Sequence, residues 1–130
     1  ASDNVVRAGL TDKYRDVQTL VEILTYELGP AEILAGRAAG EWVVYETPAA
    51  EFQVSRCRLE PETKAAVGGS GPRVLLVTEG EVTLRWQAGA EHGEEGLARG
   101  QSVLIPDCLP ALALSCSRPA EVYVAEVPLI

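Results

Sequence analysis

The residues best equipped for chemistry lie at the start of the chain, within residues 1–13. Val5 and Val6 form a short β-branched run, and Ala8, Gly9 and Leu10 make a small, tightly turning exit. Around that apolar centre stand Asp3, Asn4, Arg7 and Lys13, which place hydrogen-bonding and cationic groups at its margin. One or two cations with backbone amides are enough to hold a small phosphate, so the composition does not exclude one, although taken alone Arg7 and Lys13 read as ordinary solvated cations. Asp3 and Asn4 are short polar side chains of the kind that fix a local turn.

The other reactive side chains carry less. Cys57, Cys108 and Cys116 are an odd number at irregular spacings, which is not a secreted disulfide framework. With His92 they match a three-cysteine, one-histidine zinc set in number only, because no pair has the two-to-four-residue knuckle spacing. Buried or inert thiols are the expectation, with no metal ligand in the chain. His92 lies in the polar stretch Gly89–Glu95 and reads as a solvated side chain in a turn.

At 130 residues and 47% hydrophobic content the chain can bury one core, or one domain plus a piece of another. The longest aliphatic run, Val74–Val77, is far short of the ~20 residues that cross a bilayer, and no stretch has the regions of a signal peptide. A cytoplasmic protein is expected, without a membrane partner. Nineteen acidic against eleven basic side chains give a net charge of −8. That balance argues against a nucleic-acid surface.

Three zones must position these groups: residues 1–15, a helix and connector over 16–40, and a strand-rich domain over 41–130. Asp16 is a good N-cap, and Val17, Leu20, Val21, Leu24 and Leu28 recur at helical spacing before the Gly29-Pro30 stop. Thereafter short strands alternate with glycine and proline turns. Val82, Leu84 and Trp86 alternate with polar neighbours, and Arg73–Thr78 reads as a buried strand leading through Glu79-Gly80 into a returning one. Residues 42–46, 52–59, 103–105, 111–116 and 121–127 supply further strands. Between Val54 and Cys57 the apolar phase slips, which predicts a bulge or two-sided burial. Seven or so strands with almost no helix beyond residue 40 indicate an all-β sandwich or barrel.

The punctuation is sharper than that. Gly100-x5-Pro106 resembles half of the second cupin motif, and Glu79-Gly80 the close of the first. In a metal-binding cupin, histidines follow that proline and precede that glycine; here Asp107-Cys108-Leu109 follows, and no histidine lies upstream of Gly80. The resemblance implies a metal-free cupin jelly roll.

Ser2–Lys13 resembles the SDNVVRAGLTPK signature of the type I mannose-6-phosphate isomerases, with Asp12 in place of the proline as the one difference among those twelve positions. Several unlike residues coincide in order, which makes the match specific. Asp16–Tyr26 is similar to the family's DVPTLLEMLTY helix. A weaker, collinear likeness runs from Tyr45–Pro48 and Glu51-Phe52 through Leu75–Gly80 to Gly100 and Pro106. The resemblance implies a C-terminal portion: the end strand of a catalytic cupin, a short helix, then a metal-free C-terminal cupin.

The implied activity is interconversion of mannose 6-phosphate and fructose 6-phosphate by a zinc enzyme. Its zinc ligands, a glutamine, a glutamate and two histidines, would lie in upstream catalytic and helical domains. This chain alone should bind no zinc and isomerise nothing. By position Arg7 matches the family's active-site arginine, and Lys13 a lysine facing the substrate. Asp12 loosens the backbone before Lys13 and adds a carboxylate beside it. A stand-alone metal-free cupin, acting as a sugar-binding or structural capping module, is the competing reading. Trp42 and Trp86 could stack on a sugar in that case, but both read better as core.

Overall fold

The computed structural model describes residues 5–30, 33–69, 71–109 and 112–127. Two compact units emerge, one from Ala1 to Ile33 and one from Leu34 to Ile130.

In the first unit one helix forms among the described residues, α1 (Val17–Ile23). Asp16 caps it: its carboxylate accepts from the Thr19 backbone N–H at 3.0 Å and from the Thr19 hydroxyl at 2.8 Å. The expected run to Leu28 does not materialise, because Leu24 already has extended backbone. Thr25 and Tyr26 lose rotamer freedom in a helix, and no residue of α1 is buried. So short a helix draws its stability from packing that these residues lack. The end strand expected in the first block is likewise absent from residues 5–15. A strand needs a neighbour for its ladder, and α1 is the only regular element that the described residues of this unit contain.

The described residues of the second unit form a two-sheet sandwich of ten strands: β1 (Arg37–Ala39), β2 (Trp42–Tyr45), β3 (Gln53–Leu59), β4 (Lys64–Val67), β5 (Arg73–Glu79), β6 (Glu81–Ala88), β7 (Glu91–Ala98), β8 (Ser102–Ile105), β9 (Leu112–Ser115) and β10 (Ala120–Glu126). One sheet has the order β1-β2-β3-β10-β5-β8 and the other β4-β9-β6-β7, and all pairs are antiparallel. From β3 onward successive strands are dealt between the sheets in jelly-roll order, with β1 and β2 extending one edge. Residues 37–39 therefore belong to a sheet, where the sequence reading placed a connector.

Alternation explains the core. Cys57 and Leu59 of β3, Leu75 and Val77 of β5, and Val122 and Val124 of β10 face Ala65, Val82, Leu84 and Leu114 from the opposite sheet, all at most 3% exposed. Trp42 and Trp86 pack against this cluster, and the Trp86 ring lies over Gly93, where a Cβ would collide with it.

Two local expectations change, and a third is narrowed. Glu79-Gly80 is not a hairpin, since β5 and β6 enter different sheets. Gly80 makes that corner with φ +71°, and a Cβ there would meet the Pro119 carbonyl oxygen at 2.5 Å. Of the bulge or two-sided burial expected in β3, the structure has the second: Val54 and Arg56 are half-buried on one face and Ser55 and Cys57 buried on the other, while the pairing with β10 runs unbroken from Gln53 to Leu59. The irregularity lies instead between Glu121 and Val122, in the pairing of β10 with β5. Finally, residues 91–98 form β7 rather than a turn, and exposed His92 pairs with Gln87 in the ladder.

Candidate functional site

Arg7 and Lys13 sit on an irregular loop that leads into α1. The Asp16 backbone N–H donates to the Arg7 carbonyl at 2.8 Å and closes residues 7–16 on themselves. At the tip, Leu10 has φ +52° and a fully exposed side chain. The Lys13 backbone N–H donates to Thr11 Oγ1 at 3.2 Å, a local turn contact. Arg7 is half-buried and Lys13 exposed. Among the described residues no hydrogen bond or ion pair joins their side chains to each other or to a third group. Within the described residues the loop thus presents two unpaired cations ahead of a capped helix start. Asp16 is fixed by its task, with the Thr19 backbone N–H, then the Thr19 hydroxyl, holding its carboxyl below the ordinary range. Asp3 and Asn4, read as turn formers, lie outside the described residues.

The sandwich offers different chemistry. Burial, then Glu41 and Cys116, push the Cys57 thiol up to about 11, and burial also raises Cys116. Both thiols are thereby held in the protonated, unreactive form. All three cysteines are free. Among the described residues no three His, Cys, Asp or Glu side chains converge on a point that could hold a metal ion. On the outer sheet face Arg58 Nε donates to Glu121 Oε2 at 2.7 Å, and Thr78 Oγ1 donates to Glu121 Oε1 at 3.0 Å. The Arg58 contact, more than any other, lowers the Glu121 carboxyl. This cluster lies beside the Glu121/Val122 irregularity and ties three strands across it.

One group escaped sequence reasoning. Arg73 is fully buried. Its Nη1 donates to the carbonyls of Val67 at 3.3 Å and Gly68 at 3.0 Å, and its Nη2 to that of Leu109, while its Nε has no partner. A guanidinium thus pins the loop after β4 to the loop after β8. In the register of β10, Glu126 stands opposite both Gln53 and Arg73, so one inward rung reads Gln53–Glu126–Arg73. The visible signal was the phase of β3: Ser55 is in step with Cys57 and Leu59, so the inward row turns polar toward Gln53.

Comparison with known proteins supplies the rest. No protein-family model matches the chain. It is 53% identical over 88 residues to mannose-6-phosphate isomerase 2 of Arabidopsis thaliana, a match covering 65% of this chain. It is 32% identical over 138 residues to mannose-6-phosphate isomerase of Schizosaccharomyces pombe, covering 96% of this chain. The chain is a relative of the mannose-6-phosphate isomerases. Its structure agrees. A crystal structure of mannose 6-phosphate isomerase from Salmonella typhimurium, bound to its substrate and a zinc atom, covers 98% of this chain with TM-score 0.76 and 27% identity. The chain spans only 20% and 32% of the Arabidopsis and Schizosaccharomyces mannose-6-phosphate isomerases and 31% of the Salmonella chain. Both units take part in the likeness, since a coverage of 98% leaves room for neither to be missing. No described helix is long and apolar enough to cross a membrane.

Proposed function

We propose that this chain is the C-terminal part of a zinc-dependent mannose-6-phosphate isomerase, and that its first unit completes the catalytic cavity of that enzyme. The observation that carries this reading is the likeness to a substrate- and zinc-bound isomerase along nearly the whole chain, with the signature Ser2–Lys13 at its start. The upstream catalytic and helical domains are its partners, mannose 6-phosphate and fructose 6-phosphate its substrates, and the cytoplasm its place.

The reaction moves a proton between C1 and C2 of an open-chain sugar phosphate, so negative charge builds on the adjacent oxygens. Arg7 is suited to that charge: it keeps its proton, donates in a fixed fork, and its side chain has no other bond among the described residues to give up. Lys13 is a point charge on a flexible stem and suits the substrate's phosphate. The loop closure from Asp16 to Arg7 holds the Arg7 backbone at a set distance from the helix start. Zinc in the complete enzyme supplies Lewis-acid polarisation of the sugar oxygens. In this reading its ligands come from the upstream part of the enzyme.

The test is an isomerase assay on the complete polypeptide carrying this sequence, with Arg7→Ala and Arg7→Lys beside the parent. Arg7→Ala should lose turnover far more than substrate affinity, and Arg7→Lys should recover little, because the forked geometry is lost. Unchanged turnover with only a raised KM would reassign Arg7 to phosphate binding.

A second reading applies to residues 41–130: a structural cap on the catalytic domain. It is favoured by a sandwich interior filled with aliphatic side chains at most a few per cent exposed. Deleting the sandwich from the complete enzyme should then lower stability with no change in the pH profile of the activity that survives.

A further inference from the structure

The polar rung at one end of the sandwich stands apart from the rest of the interior. Along the inward face of the larger sheet, successive rungs run Cys57–Val122–Val77, then Ser55–Val124–Leu75, then Gln53–Glu126–Arg73. The interior changes within two rungs from wholly apolar to wholly polar. Arg73 spends two nitrogens on loop carbonyls. The side chains of Ser55, Gln53 and Glu126 have no hydrogen-bond partner among the described residues, although Ser55 is only 6% exposed. Polar groups placed facing a sandwich interior without partners cost stability unless something polar meets them.

These three side chains line one cavity of about 210 Å³, together with Trp42, Val44 and Val124. Its walls are well fixed. Trp42 is held by its Nε1 donating to the Ala66 carbonyl at 2.9 Å. The Glu126 carboxylate leans over Gly69, where a Cβ would stand 2.7 Å from Oε2. A side chain there would displace the carboxylate, and the φ of +118° strongly favours glycine.

We propose that this end of the sandwich binds a single neutral, polyhydroxylated ring such as a hexopyranose. The volume is below the ~300–1,000 Å³ of drug-sized pockets, which fits one ring and not two. Glu126 accepts from vicinal hydroxyls, while the Gln53 amide and Ser55 hydroxyl each donate and accept. Trp42, Val44 and Val124 meet the C–H face of a ring, the usual pairing of apolar wall and few polar groups. An apolar ligand would leave all three polar groups unmet, and a phosphate would face the Glu126 carboxylate, since Arg73 is not among the residues that line the cavity. The proposal stands independently of the isomerase reading, since it uses neither Arg7 nor Lys13.

Two-dimensional amide spectra of the 130-residue chain, titrated with methyl α-mannopyranoside and separately with mannose 6-phosphate, provide the test. The neutral glycoside should give saturable shifts at Val44, Gln53, Ser55, Gly68, Glu126 and the Trp42 indole N–H, with an affinity of order millimolar. Glu126→Leu should weaken it by at least roughly tenfold. Gln53→Leu, at a half-buried position, serves if that variant does not fold, and should weaken it in the same direction. Three results would overturn the proposal: no saturation, shifts confined to other regions such as Trp86 and His92, or mannose 6-phosphate binding these amides at least as tightly.

Discussion

The two units of this chain divide stability and chemistry between them. Apart from the polar rung at one end, the sandwich is closed: its strands are paired from β1 to β10, and its apolar core is shut off from solvent. Several of its polar and reactive groups are spent on the fold, with the Arg73 Nη nitrogens on carbonyls, Glu121 on Arg58 and Thr78, and Cys57 on burial. Residues 5–30 show the reverse. They hold one seven-residue helix with no buried side chain, and their apolar groups are open: Val17 54%, Val21 50% and Leu28 102% exposed. Among the described residues nothing pairs with the side chains of Arg7 and Lys13. A group is available to a substrate where the fold has not already used it.

The sharpest way to break the comparison is to truncate one aliphatic side chain in each unit. Leu114→Ala, at a site with 0% exposure, should cost roughly 3–5 kcal/mol, while Leu24→Ala, 48% exposed, should stay within about 0.5 kcal/mol. Urea unfolding of the chain measures both, and similar values would mean that the first unit has a core of its own. The functional counterpart is Arg7→Ala in the complete enzyme, where loss of one preorganised donor should lower turnover on the order of a hundred- to a thousandfold. Next comes Gly80→Ala, with an expected cost of about 1–3 kcal/mol from the positive φ and the Pro119 carbonyl. Its effect should appear as faster hydrogen exchange in β5 and β10 and leave α1 untouched.

The smallest effects come from pH, and the two units should respond with opposite sign. The Asp16 carboxyl is held low by Thr19, so its support of α1 is present above the ordinary Asp range and fades as pH falls through the lowered value. Circular dichroism of Asp16→Asn should lose that pH-dependent part of the helix signal. The Glu126 carboxyl is raised by burial, against an opposing pull from Arg73. Folding therefore favours its protonated form, and its contribution declines as pH rises from the ordinary Glu range through the raised value. Glu126→Gln should flatten that decline in thermal melts; an unchanged slope would place the responsible group elsewhere.

Much of this was legible in the residues. The Asp16 cap, the breaks at Gly80 and Gly100 and seven of the ten described strands follow from local patterns that act over a few neighbours, whereas the change of sheet at Gly80 does not. The strands that were missed show where such patterns stop. β7 carries four glutamates or glycines in a row, Gly93–Gly96, with little intrinsic preference for extended structure. It is a strand because all eight of its residues pair with β6. β4 is only Lys64–Val67, too short to show a period, and exists through its ladder to β9. The helix fails in the opposite way: its stripe is amphipathic over three turns, but only the capped first part forms.

Sequence alone therefore determined which residues are apolar in alternation, where turns must fall, and that Ser2–Lys13 resembles an isomerase signature. Those are properties of a residue and its near neighbours, and they survive whatever the rest of the chain does. Tertiary structure decided the dealing of strands between two sheets, the length of α1, and the fate of Arg73. It also aligned Gln53, Glu126 and Arg73 on one rung, although Gln53 and Glu126 stand at opposite ends of the sandwich's sequence. Register between distant strands is set by the collective burial of both faces, which no local window of residues contains.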